Sequence, residues 1–199
     1  MARSSATCTG LDTRTLSVGF LATNICTVRR RYVRMTLPAA ITPTNKADRA
    51  LLAFANSAEF AARDLYAVAA SVSAFSKEEQ VVLIGFHDHH RAAAQALAGM
   101  AGSAATNERS DAVFNAFRGR IMGNDKNAIY DTLRELENTL ASTHLSLVGT
   151  LEGTGAAALV ASILNVQARQ AATLALLAGR TFAEALTNGA AALIIGTGT

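Results

Sequence analysis

The feature that most constrains this chain is a polar pattern that occurs twice. Each copy has a glutamate, a tyrosine or histidine seven residues later, and then two polar residues spaced i, i+3. The first copy is Glu59, Tyr66, His87 and His90, and the second is Glu137, His144, Gln167 and Gln170. Residues at i, i+3 and i+7 share one face of an α-helix. The repeat therefore predicts two helical hairpins that form a four-helix bundle with a polar centre.

Composition favours an all-α body with a buried core. Half of the 199 residues are hydrophobic, and a chain of this length can bury a sizeable core in one domain. Both prolines, Pro38 and Pro43, lie early in the chain, so 156 residues follow without this helix breaker. We therefore expect one antiparallel four-helix bundle over residues 46–180.

Apolar residues recur at helical spacing through that body. The predicted long helices span residues 47–72, 76–100, 126–148 and 156–178. Ser76 and Glu79 form a capping box that begins the second helix. The short connection before it makes the first two helices antiparallel neighbours. The longer passage after it suits a crossover that carries a short extra helix at 110–122, and residues 181–199 are expected to form a helical turn and an apolar tail.

The basic character of the chain comes from its N-terminal segment. The first 34 residues contain six arginines against one acid, Asp12, whereas the chain from Met35 onward has 12 Lys or Arg against 14 Asp or Glu. A slightly acidic body gives no basis for nucleic-acid binding.

Residues 1–45 form a Ser/Thr-rich extension that we expect to be disordered. Its basic composition is also typical of a targeting segment, and Met35 is an alternative start. Both cysteines, Cys8 and Cys26, lie here, so the body has neither a disulfide framework nor a cysteine-based zinc site. No run reaches the ~18 apolar residues that a membrane span needs. These features favour a cytoplasmic protein without a membrane span.

The two acids are expected inside the bundle, where an unpaired carboxylate costs several kcal/mol. Di-metal carboxylate bundles solve this problem with one Glu from each of two helices and a Glu-x-x-His motif from each of the other two. Here Glu59 and Glu137 match the single acids. His87 stands where the motif has its glutamate, and Gln167 and Gln170 replace both ligands of the second motif.

Four segments of the sequence resemble those of a known family. They are Ala58-Glu59-Phe60 with Tyr66, Phe86-His87-Asp88-His89-His90-Arg91, Leu136-Glu137-Asn138, and Ile163-Leu164-Asn165-Val166-Gln167-Ala168-Arg169-Gln170. The chain resembles the ferritin-like superfamily over residues 47–180, and more narrowly the bacterial ferritin-like domain proteins of actinobacterial type. The last segment looks like the family's Leu-Pro-Val-Glu-Ala-x-His helix with both metal ligands replaced.

The resemblance implies a metal site that has lost ligands. A di-iron centre has about four carboxylates, and this chain keeps two, so at most one Fe, Mn or Zn ion is expected. The expected ligands are Glu59, His87, His90 and Glu137, with Gln167, Gln170, Tyr66 and His144 around them.

Three interpretations remain open from the sequence. The first is a protein that binds one metal ion. The second is a metal-free hydrogen-bond network of Glu59, Glu137, His90, Gln167 and Gln170 in a helical interaction protein, expected to form a homodimer through an alanine-rich helix face. The third is a small oxidoreductase that uses the ion with oxygen or peroxide.

Overall fold

The computed structural model describes residues 44–194, and all regular elements in that range are helical. The α-helices are α1 (Lys46–Ala70), α2 (Lys77–Ala101), α3 (Asp111–Ile121), α4 (Lys126–Thr150), α5 (Thr154–Leu177) and α6 (Phe182–Ala185). The ends of α1 to α5 lie within two residues of the predicted ends. The predictions for residues 1–43 and 195–199 fall outside the described range.

Short polar side chains begin most of the helices by accepting hydrogen bonds from free backbone N–H groups. These caps are Asn45, Ser76, Ser110, Asp125 and Thr181. The long helix α5 has no such cap from its own Gly153. Instead, the buried Asp48 of α1 accepts from the N–H groups of Glu152 at 3.1 Å and Gly153 at 2.8 Å. This contact fixes the start of α5 against the start of α1.

The four long helices form two antiparallel hairpins, α1 with α2 and α4 with α5, as the sequence predicts. Helix α3 lies in the crossover between the hairpins and packs against α1 and α4. The architecture is therefore an antiparallel four-helix bundle with a short extra helix in the crossover.

The bundle interior has two apolar clusters. One contains Leu65, Phe75, Leu83, Ile129, Leu133 and Leu174, and the other contains Leu52, Leu97, Leu147 and Val160. Each fully buried Leu contributes roughly 1.5–3 kcal/mol by leaving water. Along every long helix, buried polar residues stand between the members of these two clusters. A polar layer thus crosses the bundle between two well-packed apolar ends.

The chain after α5 lies along α4. The side chain of Asn188 donates to the backbone oxygen of Asn138 at 3.1 Å, and the N–H of Leu193 donates to the hydroxyl of Thr143 at 2.9 Å. Leu193 also packs against the first apolar cluster. Within residues 44–194, none of the helices has the length and hydropathy to cross a membrane.

Candidate functional site in the polar layer

The polar layer is built by inward-facing residues of all four long helices. These residues are Glu59 and Tyr66 from α1, His90 from α2, Glu137 and His144 from α4, and Gln167 from α5. Each is at most 1 % exposed to solvent. Their hydrogen bonds and charges must therefore be satisfied within the protein or by a bound species.

His90 lies between the two buried glutamates. Its Nδ1 is 2.8 Å from Oε2 of Glu59, and its Nε2 is 2.9 Å from Oε1 of Glu137. A carboxylate oxygen only accepts hydrogen bonds, so an imidazole that bonds to both acids must donate from both ring nitrogens. The geometry therefore fits a protonated His90 that bridges two carboxylates.

The electrostatics agree with this geometry. Burial of the ring is the largest single effect and disfavours the charged form of His90. The negative charges of Glu137 and Glu59, with the hydrogen bonds to both, together outweigh it and raise the pKa of His90 to about 10. Without a bound metal ion, His90 is thus a cation at neutral pH in the folded protein.

Tyr66 is a second hydrogen-bond donor to Glu137. Its hydroxyl donates to Oε1 of Glu137 at 2.5 Å, and its ring stacks on the imidazole of His90 with centroids 5.1 Å apart. Burial, followed by the charge and hydrogen bond of Glu137, raises the pKa of Tyr66 well above its usual value. Tyr66 therefore remains a neutral hydrogen-bond donor that holds Glu137 in place.

A second chain of hydrogen bonds runs through Gln167. Its Nε2 donates to Oε1 of Glu59 at 2.7 Å, which leaves its amide oxygen to accept from Nδ1 of His144 at 2.8 Å. In neutral His144 the proton is then on Nδ1 and the lone pair is on Nε2. That Nε2 lies 3.7 Å from Oε1 of Glu59. The network thus turns Nε2 of the buried His144 toward the carboxylate of Glu59.

Three buried atoms around this layer have no hydrogen-bond partner in the described part of the chain. They are Oε2 of Glu137, Nε2 of His144 and Oε1 of Gln170. Each of them, with His144 neutral, offers an electron pair and not a proton. The layer therefore has spare acceptors that a cation or a hydrogen-bond donor could satisfy.

Three of the four predicted metal ligands converge, namely Glu59, His90 and Glu137. His87 does not join them, because its Nδ1 faces Oδ1 of Asp88 at 3.1 Å and its side chain is 26 % exposed. Gln170 lies at the edge of the layer, where its Nε2 is 3.2 Å from Nδ1 of the exposed His89.

The sequence predicted that His144 lies around the metal ligands and is not one of them. In the structure His144 is fully buried, and its Nδ1 forms a hydrogen bond with Gln167. The signal for this role was its position one heptad after Glu137, on the same helix face. Sequence reasoning missed the contact of His89 with Gln170, because His89 lies off the face shared by His87 and His90.

The side chains of the polar layer are of the chemical types that bind a metal ion. Imidazole nitrogens and carboxylate oxygens are ligands for Zn, Mn and Fe(II). Donor atoms that share such an ion lie roughly 3–3.6 Å apart when each bond is ~2.1 Å, which is close to the spacing between His144 Nε2 and Glu59 Oε1. Within residues 44–194, however, no three His, Cys or acidic side chains already stand as a ready ligand set. His90 could bind an ion only after losing a proton.

Comparison with known proteins agrees with this architecture. No curated protein and no solved structure matches the chain. The family model of the ferritin-like domain matches residues 47–180, which is more than half of the sequence and includes almost all of the four long helices. The chain therefore belongs to the ferritin-like domain family.

Proposed function

We propose that this ferritin-like protein binds a single divalent metal ion, Zn, Mn or Fe(II), in its polar layer. The observation that carries the proposal is the convergence of two buried carboxylates and two buried imidazoles on a layer with spare acceptors. Ligands from α1, α2 and α4 would then hold the ion, at an inherited di-metal centre that has been reduced to one site.

The number of charges supports one ion and opposes two. Ionised Glu59 and Glu137 carry two negative charges, which one divalent ion balances when His90 and His144 are neutral. Two divalent ions would leave two excess positive charges in a buried layer, and uncompensated buried charge is strongly destabilising. His87 and Gln167 stand where the di-metal motif has glutamates. The loss of these two carboxylates explains why a second ion would not be balanced.

Each residue has a part in this proposal. Glu59, His90 and Glu137 would supply ligands, and so would Nε2 of His144, whose Nδ1 is bonded to Gln167. Gln167 fixes the tautomer and direction of His144, as partners of metal-binding histidines commonly do. His87 could join only by turning away from Asp88. When bound, iron would supply redox chemistry toward oxygen or peroxide.

Metal analysis tests this function. Protein purified without a metal-binding tag and incubated with Zn, Mn or Fe(II) is expected to retain about one ion per chain, because two buried carboxylates balance the charge of one divalent ion. Binding to the folded state should also raise the melting temperature. Glu59→Ala and His90→Ala should lose the ion, whereas Glu135→Ala, which removes an exposed acid of α4, should keep it.

Two outcomes would contradict the proposal. Retention of two ions per chain would mean an intact di-metal centre. No retention, with an unchanged melting temperature for every ion tried, would favour the metal-free interpretation. A specific observation already favours that second candidate, since a protonated His90 supplies a positive charge between Glu59 and Glu137 without any metal.

We further propose a homodimer, as an interaction protein would require. The face of helix α5 that is turned away from the bundle carries small apolar residues and Leu176, with the polar Asn165 and Arg169 among them. The small residues are Ala158, Ala161, Ala168 and Ala172. Small residues allow two helices to approach closely, and Leu176 is 50 % exposed on this face. A second copy of the chain could cover it by packing one α5 against the other.

Light scattering after size exclusion should report a dimer at micromolar concentration. Ala168→Glu should shift the protein toward monomer, because it places a larger, charged side chain where close helix packing needs alanine. Ala67→Glu, at an exposed position of α1, should leave the dimer intact. A wild-type monomer, or equal dissociation by both variants, would rule out this interface.

A further inference from the structure

A cavity of ≈ 270 Å³ lies between α2 and α5, beside the polar layer. Its lining runs from exposed residues, including His89 and Ser162, to the fully buried Glu59. The cavity therefore leads from the protein surface to the edge of the layer. It does not depend on a metal ion being present.

The α2 wall of the cavity is made of small side chains, which leave space in front of the larger apolar side chains of α5. Ala92, Ala93 and Ala96 of α2 lie opposite Leu159 and Val166 of α5. In the two apolar clusters of the interior, by contrast, alanines pack against leucines and aromatic rings. The cavity is open to solvent, since Ala92, Ala96 and Ser162 are exposed, so a molecule that covers Leu159 and Val166 there would remove apolar surface from water.

The polar end of the cavity selects among possible ligands. Gln170 lines the cavity at 4 % exposure, and its Oε1 has no hydrogen-bond partner in the described chain. Glu59 also lines it, and the layer behind holds two carboxylates against one bridging imidazole. These groups accept hydrogen bonds and repel negative charge. A donor such as a hydroxyl or an ammonium group is favoured there, and a carboxylate is disfavoured.

We propose that this cavity binds a small aliphatic molecule with a hydrogen-bond-donating head group. The chain of the molecule lies along the alanine and leucine walls, and the head group faces Gln170. At ~30 Å³ for each water-sized group, the volume accommodates about nine such groups, which is room enough for the seven groups of a six-carbon chain with its head group. This is a binding activity separate from metal binding.

Three probes of equal chain length test the head-group preference, namely hexanol, hexylamine and hexanoate. Each is titrated into the full-length, ¹⁵N-labelled protein in the presence of a chelator, and binding is followed by amide chemical shifts. Hexanol or hexylamine should shift amides of residues 92–96 and 159–166. Hexanoate should bind at least tenfold more weakly. The comparison of hexanol with hexylamine shows whether the preferred head group is neutral or cationic.

A filling variant tests the location. Ala96→Leu should weaken binding of the preferred probe at least tenfold, whereas Ala67→Leu, the same change at an exposed site of α1, should have no effect. Both changes keep good helix formers, and a urea transition confirms that each variant folds. Equal binding of hexanoate, an absence of shifts with all three probes, or equal effects of the two variants would each overturn the proposal. Because the chelator removes metal, these results are independent of the proposed metal site.

Discussion

Replacing His90 with alanine is expected to lower the free energy of unfolding by about 3 to 5 kcal/mol. The imidazole is the only side chain that contacts both Glu59 and Glu137 in the described part of the chain, and all three are buried. Its removal leaves two carboxylates in the interior without their cation and with lost hydrogen bonds. Urea-induced unfolding at neutral pH, followed by circular dichroism in the presence of a chelator, measures this change.

The adjacent histidine provides a matched control. His89 is exposed on the same helix and touches only the edge of the layer, through Gln170. His89→Ala should therefore cost less than about 1 kcal/mol, as most surface substitutions do. If the two variants lose equal stability, the bridge contributes little to the fold and the carboxylates must be satisfied in another way.

The fold was predictable because its signals are local. The capping box of Ser76 and Glu79 lies within a single turn, and its hydrogen bonds place the start of α2 at Lys77. The apolar spacing from Leu51 to Ala69 likewise needs only helix geometry to predict α1. Asp48 shows the limit of such signals. Its contact with Gly153 joins residues far apart in sequence and could not be inferred from any local pattern.

The candidate site was predictable only in part, because periodicity gives the face of a residue and not its side-chain conformation. Glu59, Glu137 and His90 lie near the centres of their buried stripes, so their convergence follows from the backbone. His87 shares a face with His90, but its side chain pairs with the neighbouring Asp88. The hydrogen bonds that link Glu59 to His144 through Gln167 depend on which amide atom of Gln167 faces Glu59. Helical periodicity does not determine that orientation.

The cavity between α2 and α5 illustrates the same limit at a larger scale. The sequence shows alanines at 92, 93 and 96, and alanine is equally common where helices pack closely. Whether small residues bring two helices together or leave a space depends on the separation of the backbones. In the second hairpin α4 and α5 are close neighbours, whereas α2 and α5 meet across the two hairpins and leave the space open.

The free energy of unfolding is expected to decrease as the pH rises from 7 to 9. The pKa of His90 is about 10 in the folded protein, against an ordinary value of 6.5 in the unfolded chain. The folded state thus holds a proton that the unfolded state releases. The stabilisation that His90 contributes is therefore fully present below pH 6.5 and is lost as the pH rises through 10. Each pH unit between these values removes at most about 1.4 kcal/mol, or roughly 2 to 3 kcal/mol over this interval.

Chemical denaturation at several pH values, with a chelator present, measures this slope. His90→Gln is the matched variant, because glutamine still donates a hydrogen bond but does not titrate. The free energy of unfolding of His90→Gln should fall less steeply over the same range, because the variant has no imidazolium to deprotonate. Tyr66 does not interfere, since its raised pKa keeps it protonated. A wild-type slope no steeper than that of His90→Gln would mean that His90 is neutral in the folded protein, and the layer would then need another cation to balance Glu59 and Glu137.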